Sequence, residues 1–227
     1  MLPIYDITKF SLLDYPNKIS SLIWFSGCNY RCCYCYNTEL INKQKNLKNQ
    51  EVLDFLKSRK HLLQAVVLTG GECTLYDIYD FVKEIKSYGY LIKIYTNGSN
   101  HKIIKKLIDD KLIDYIALDF KSSIKCFYNI TKSNDYQEFE KTLNLLILNQ
   151  NKINVELRTT LFPNQIEYDE VIEICNELKK YNYNKNYYIQ NYRPQNGTLY
   201  QNRELKEKLI NLCKESNYKF NIELRNF

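Results

Sequence analysis

The chain has 227 residues, 44% of them apolar and 26% charged, with six glycines and four prolines, which is the composition of ordinary globular proteins rather than of disordered, collagenous or membrane chains. Its 32 basic and 26 acidic residues leave a net charge of +6, but the lysines are scattered through amphipathic segments without a basic-aromatic motif, so no nucleic-acid partner is expected. Apolar runs such as Leu22 to Phe25 and Leu145 to Leu148 fall far short of the roughly 18 residues that span a bilayer, and MLPIYDITKF lacks a secretory pattern, so a cytoplasmic protein with no membrane partner is expected.

In chain order, an extended stretch from Ile4 to Leu13 comes first. Periodicity then predicts strands at Ile19 to Ser26, Ala65 to Thr69, Leu91 to Thr96, Tyr115 to Phe120, Asn154 to Thr160 and Tyr187 to Tyr192. Helical stripes separate them: Val52, Phe55 and Leu56; Ile78, Phe81, Val82 and Ile85; Ile103, Ile104, Leu107 and Ile108; Phe139, Leu143, Leu146 and Ile147; Val171, Ile174, Cys175 and Leu178. A last helix, Glu204 to Ser216, closes the order. Six βα units in succession imply an α/β fold with a parallel sheet and outer helices. Eight units close the usual barrel, so a partial (β/α)6 barrel is the natural architecture, with a doubly wound sheet as the alternative. No linker or repeat interrupts the chain, and residues 1–227 are expected to form one domain with its core at about 19–194.

Both architectures put binding sites at the C-terminal ends of strands. Gly27, Gly70, Gly71, Gly98 and Gly197 cluster there, as expected of a face where backbone approaches a ligand. A chain of this size buries roughly 70% of its extended surface in one core, so a metal would serve function rather than hold the fold. Eight cysteines in a reducing compartment read as thiols. Four of them fall in CNYRCCYC, where Cys28, Cys32 and Cys35 form C-x3-C-x2-C after the first predicted strand. Zinc and an iron-sulfur cluster are the candidates for three thiolates. No second CxxC and no CxxH supplies the fourth ligand that zinc wants, whereas a cubane with three protein thiolates leaves one iron open for catalysis. Cys33 competes for the ligand count, but ligation beside Cys32 is sterically unfavourable.

CNYRCCYC resembles the signature of the radical S-adenosylmethionine (SAM) family, with the aromatic Tyr34 before the last cysteine, and Thr69-Gly70-Gly71-Glu72 resembles its GGE motif. The resemblance implies one 4Fe-4S cluster on Cys28, Cys32 and Cys35, with SAM chelating the open iron and the Gly70-Gly71-Glu72 segment binding its amino group. Glu72 can accept from an ammonium, and the same position suits a helix N-terminal carboxylate. Asp119-Phe120-Lys121 resembles the DxK element of glycyl-radical-enzyme activases, and Thr96-Asn97-Gly98 their TNG element, with Tyr95 in place of the aspartate tied to a monovalent cation. By the same resemblance Arg158, on the fifth strand, and Arg193, after the sixth, are candidate cofactor contacts, and Tyr34 and Tyr36 are candidates beside the last cysteine. Arg158 could equally form a surface salt bridge.

The segment Phe10 to Lys18 running into WFSGCNYRCCYCYNTEL is similar to activating proteins of anaerobic ribonucleoside-triphosphate reductase, except that Tyr36 replaces a histidine; the similarity runs from about Lys9 to about Thr198. It implies an oxidoreductase that cleaves SAM reductively and makes a glycyl radical on a partner enzyme, fed by a flavodoxin or ferredoxin-type electron donor. The alternative is a small-molecule radical enzyme such as a 7-carboxy-7-deazaguanine synthase. No cysteine lies between Cys35 and Gly70, so an inserted accessory cluster is not expected.

Overall fold

The computed structural model describes residues 1–42, 47–194, 197 and 199–227; Thr198, where the family similarity ends, lies outside them. Its eight strands form a sheet in the order β1-β2-β3-β4-β5-β6-β7-β8. The chain divides into two compact units: 1–29 with 37–117, and 30–36 with 118–227.

The first unit holds β1 (Ile4–Ser11), β2 (Ser20–Phe25), α1 (Thr38–Asn42), α2 (Asn49–Arg59), β3 (Ala65–Gly70), α3 (Tyr79–Ser87), β4 (Leu91–Thr96) and α4 (His101–Asp109). The extended stretch expected at the N-terminus is a strand, paired antiparallel to β2 with breaks in register. β2, β3 and β4 run parallel, with Leu22 beside Val67 and Val67 beside Lys93. Ala65, Val66, Val67 and Leu68 are all fully buried, as befits a parallel strand covered on both faces. One face packs Leu22, Ala65 and Val67 under Tyr15, with Trp24, Leu91, Tyr95 and Tyr115 against them. Side chains the size of Leu22 and Val67 contribute about 1.5–3 kcal/mol each by leaving water. On α4 the stripe Ile103, Ile104, Leu107 and Ile108 is buried, and Asn100 Oδ1 caps the helix by accepting the Ile103 N–H.

β5 (Tyr115–Asp119) begins in the first unit and ends in the second, which continues with α5 (Phe127–Thr131), α6 (Tyr136–Asn149), β6 (Asn154–Thr160), α7 (Tyr168–Lys180), β7 (Asn186–Gln190), α8 (Arg203–Glu215) and β8 (Asn221–Arg225). β6, β7 and β8 are parallel. The six expected βα units are present in order, the element pattern of a partial (β/α)6 barrel. Among the described residues three short elements depart from expectation, α1 (five residues) being the first. β8 follows the last helix, and α5 interrupts the crossover after β5; both are five residues long, too short for a periodic signal. The sixth strand also stops at Gln190, two residues before its expected end.

Candidate functional site

In the first unit the ends of β2, β3 and β4 are laced together. The Gly71 N–H donates to Phe25 O at 2.8 Å and the Glu72 N–H to Gly27 O at 2.8 Å. A Cβ on Gly71 would stand 2.0 Å from Gly27 O, and one on Gly70, where φ is +115°, would stand 2.3 Å from Phe25 O. These two glycines are therefore required by the approach of one strand end to another, before any ligand is considered.

Glu72, 1% exposed, precedes a 3-10 turn at Cys73–Leu75 and caps it. Its Oε1 accepts from Thr74 N (3.0 Å), Thr74 Oγ1 (2.6 Å) and Thr96 Oγ1 (2.9 Å), and its Oε2 from Asn97 N (2.6 Å). Burial pushes the carboxyl up from its ordinary value, and the bonds from Asn97, Thr74 and Thr96 oppose that shift. Four protein hydrogen bonds thus engage the Glu72 carboxylate, which caps a three-residue 3-10 turn rather than an α-helix.

Thr96 and Asn97 are both buried. The Gly98 N–H donates to Thr96 Oγ1 at 3.0 Å, and the Ser99 N–H to Asn97 Oδ1 at 2.9 Å. Asn97 Nδ2 lies 3.0 Å from Asn29 Oδ1 and 3.9 Å from Cys28 Sγ. Tyr95, at the departure from the TNG pattern, donates its hydroxyl to Asp14 O, and its ring lies 4.4 Å from the Lys93 ammonium. Thr74 and Asn29 were not singled out by sequence, although Asn29 directly follows Cys28.

The second unit holds the loop from Tyr30 to Tyr36. α5 ends at Lys132 in the left-handed conformation, and its last carbonyls are capped by this loop: Arg31 N donates to Thr131 O at 2.8 Å and Cys33 N to Ile130 O at 3.1 Å. The Tyr30 ring meets Phe127 edge-on at 5.7 Å. A turn joins Cys35 N to Cys32 O at 3.0 Å. All eight cysteines are thiols; Cys28, Cys32 and Cys35 are half-buried and Cys33 is exposed. Among the described residues no three His, Cys, Asp or Glu side chains are already drawn together as a metal site.

Tyr34 is buried, its ring 5.7 Å from Phe162 and 5.6 Å from the Lys121 ammonium. Its hydroxyl has no hydrogen-bond partner among the described residues, and burial pushes the phenol well up. Asp119 sits between two cations: Lys121 Nζ at 2.9 Å from Oδ2, and Arg158, whose Nε is 2.9 Å from Oδ1 and whose terminal nitrogen also bonds that oxygen. Burial pushes the Asp119 carboxyl up, but Arg158 and Lys121 outweigh it and hold it below the usual carboxylate range. The Arg158 side chain is only 15% exposed, so its ion pair is a largely covered one rather than the surface bridge weighed from sequence. Tyr36, at 57%, and Arg193 are exposed.

The family model of the radical SAM superfamily matches residues 22–178. A provisionally named glycyl-radical enzyme activating enzyme of Methanocaldococcus jannaschii is 31% identical over 203 residues, covering 86% of this chain and 81% of that protein. A 7-carboxy-7-deazaguanine synthase of Buchnera aphidicola is 26% identical over 187 residues, covering 71% and 82%. Among solved structures, Streptococcus suis SuiB bound to S-adenosylmethionine superposes with a TM-score of 0.66 at 16% identity, over 90% of this chain and 52% of that one, so the chain spans about half of that longer protein.

Proposed function

The chain belongs to the radical SAM superfamily, and from that membership we propose that it is an activating enzyme that places a glycyl radical on a partner enzyme. The observation that carries this reading is the likeness, over 86% of the chain, to the M. jannaschii protein named for that activity. The N-terminal segment Phe10 to Lys18 supports anaerobic ribonucleoside-triphosphate reductase as the partner, with a flavodoxin or ferredoxin-type protein as electron donor, working in the cytoplasm where thiols stay reduced.

The donor chemistry of the chain fits a 4Fe-4S cluster and SAM. Cys28, Cys32 and Cys35 are half-buried thiols in one stretch of sequence, with the ligand softness that iron-sulfur clusters need. The buried, unpartnered Tyr34 hydroxyl would be satisfied by a bound polar group. With cluster and SAM bound, the chemistry supplied is a primary carbon radical able to take hydrogen from a glycine. The protein's share is placement and shielding. Lys121 and Arg158, both bonded to Asp119, bring two cationic side chains together, a donor chemistry suited to the carboxylate of SAM. Gly70, Gly71 and Glu72 offer backbone to its amino group, while Glu72, Thr96 and Asn97 hold that turn in place.

A second reading, a small-molecule enzyme of the deazaguanine synthase type, is favoured by the 82% coverage of the Buchnera protein. Product analysis separates the two. The activase reading expects 5′-deoxyadenosine to form in proportion to added glycyl-radical enzyme; turnover of 6-carboxytetrahydropterin without any protein partner would replace it with the second reading.

A further inference from the structure

Asn97 has a side chain whose two ends are assigned by their neighbours. The Ser99 N–H points at one terminal atom at 2.9 Å, so that atom must be the acceptor oxygen. The other atom is then the amide nitrogen, and it faces Asn29 Oδ1 at 3.0 Å and Cys28 Sγ at 3.9 Å. The main chain at the same residue is anchored by its own N–H, which donates to the fully engaged Glu72 carboxylate. A buried amide is thus held by both backbone and side chain, with an N–H directed at the sulfur of a cysteine on another strand end.

We propose that Asn97 is a positioning residue that donates an N–H···S hydrogen bond to Cys28 and thereby raises the reduction potential of the cluster that this cysteine ligates, which rests on the reading of Cys28 as a ligand. Reduction adds negative charge that spreads onto the cysteine sulfurs. A donor aimed at one of them stabilises the reduced form more than the oxidised form, and hydrogen bonds to sulfur are among the levers that set cluster potentials. The bond costs little reorganisation, because Glu72 and Ser99 fix Asn97 before any cluster is present. Asn97 then belongs with the cluster rather than with SAM, unlike the role its TNG position suggested.

The test is a redox titration of reconstituted protein without SAM, monitored by electron paramagnetic resonance (EPR) of the reduced cluster, on wild type, Asn97→Ala and Asn97→Asp. Both variants keep the backbone bond to Glu72, and Asn97→Asp also keeps the Ser99 bond. The expected result is about a tenfold lower reduced-to-oxidised ratio at fixed potential in Asn97→Ala, which is 59 mV for one electron, and a larger shift in Asn97→Asp. Pulsed EPR in deuterated buffer should show an exchangeable proton coupled to the wild-type cluster and missing from both variants. Unchanged potentials with the same exchangeable proton in all three proteins would overturn the proposal. If Cys28→Ala assembled the same cluster as wild type, the ligand reading itself would fall, an outcome separate from the Asn97 result.

Discussion

Glu72 and Asn97, 25 residues apart, are joined by a 2.6 Å hydrogen bond from the Asn97 backbone to the Glu72 carboxylate, which ties the end of β3 to the end of β4. Three further donors converge on the same carboxylate. Glu72→Gln keeps the shape but turns an NH2 toward a donor, and should cost about 1–3 kcal/mol. Glu72→Ala strands all of the donors and should cost more. Thermal unfolding of the two variants ranks them; equal midpoints with wild type would show that the carboxylate is not a strut.

Gly71→Ala forces a methyl group to 2.0 Å from the Gly27 carbonyl oxygen, a backbone atom that cannot step aside cheaply. Overpacking of this kind costs about 3 kcal/mol or more, which lowers Tm by roughly 6–12 °C in a chain of this size. Gly89→Ala is the control for added bulk, since its position is open, although φ there is +93°. A Gly71→Ala protein as stable as wild type would contradict the close approach.

Asp119→Asn removes the charge that the covered Lys121 and Arg158 side chains both pair with, with a loss of about 1–3 kcal/mol once partial exposure is allowed for. The carboxyl is held below its ordinary value, so its stabilisation is present above about pH 4 and is lost as pH falls through the lowered folded value. The gap in stability between wild type and Asp119→Asn should therefore be constant near neutrality and shrink in acid. Denaturant midpoints from pH 7 to pH 3 measure it, and a gap that widened in acid would refute the assignment.

Much of the architecture was legible in the sequence because parallel strands covered on both faces, such as Ala65–Gly70, read as apolar runs between helical stripes. The turns after β2, β3 and β4 were legible from Gly27, Gly70, Gly71 and Gly98, and the first of them also from its cysteine spacing. Pairings between distant residues were not. Arg158 lies 39 positions beyond Asp119, and nothing local in ELRTT marks its partner. Glu72 displayed a second limit: a carboxylate offered to a ligand and one consumed by Thr74, Thr96 and Asn97 look alike until their neighbours are placed. β8, α1 and α5 escaped notice because five residues complete less than two helical turns and few strand alternations.

Iron and sulfide analysis of anaerobically reconstituted variants addresses the ligand set. Cys28→Ala, Cys32→Ala and Cys35→Ala should each lose the cluster, and Cys33→Ala, at an exposed position, should retain it. Loss in Cys33→Ala with retention in Cys32→Ala would reassign the ligands. Clearly more than four irons per chain in wild type would contradict a single cluster.

The proposal that this chain makes a glycyl radical is tested most directly by EPR of the reduced protein mixed with SAM and the anaerobic ribonucleotide reductase of the same cell. The account predicts a glycyl radical doublet that disappears when the target glycine of the reductase is replaced by alanine. No doublet from a protein that holds its cluster and cleaves SAM, together with turnover of 6-carboxytetrahydropterin, would contradict it.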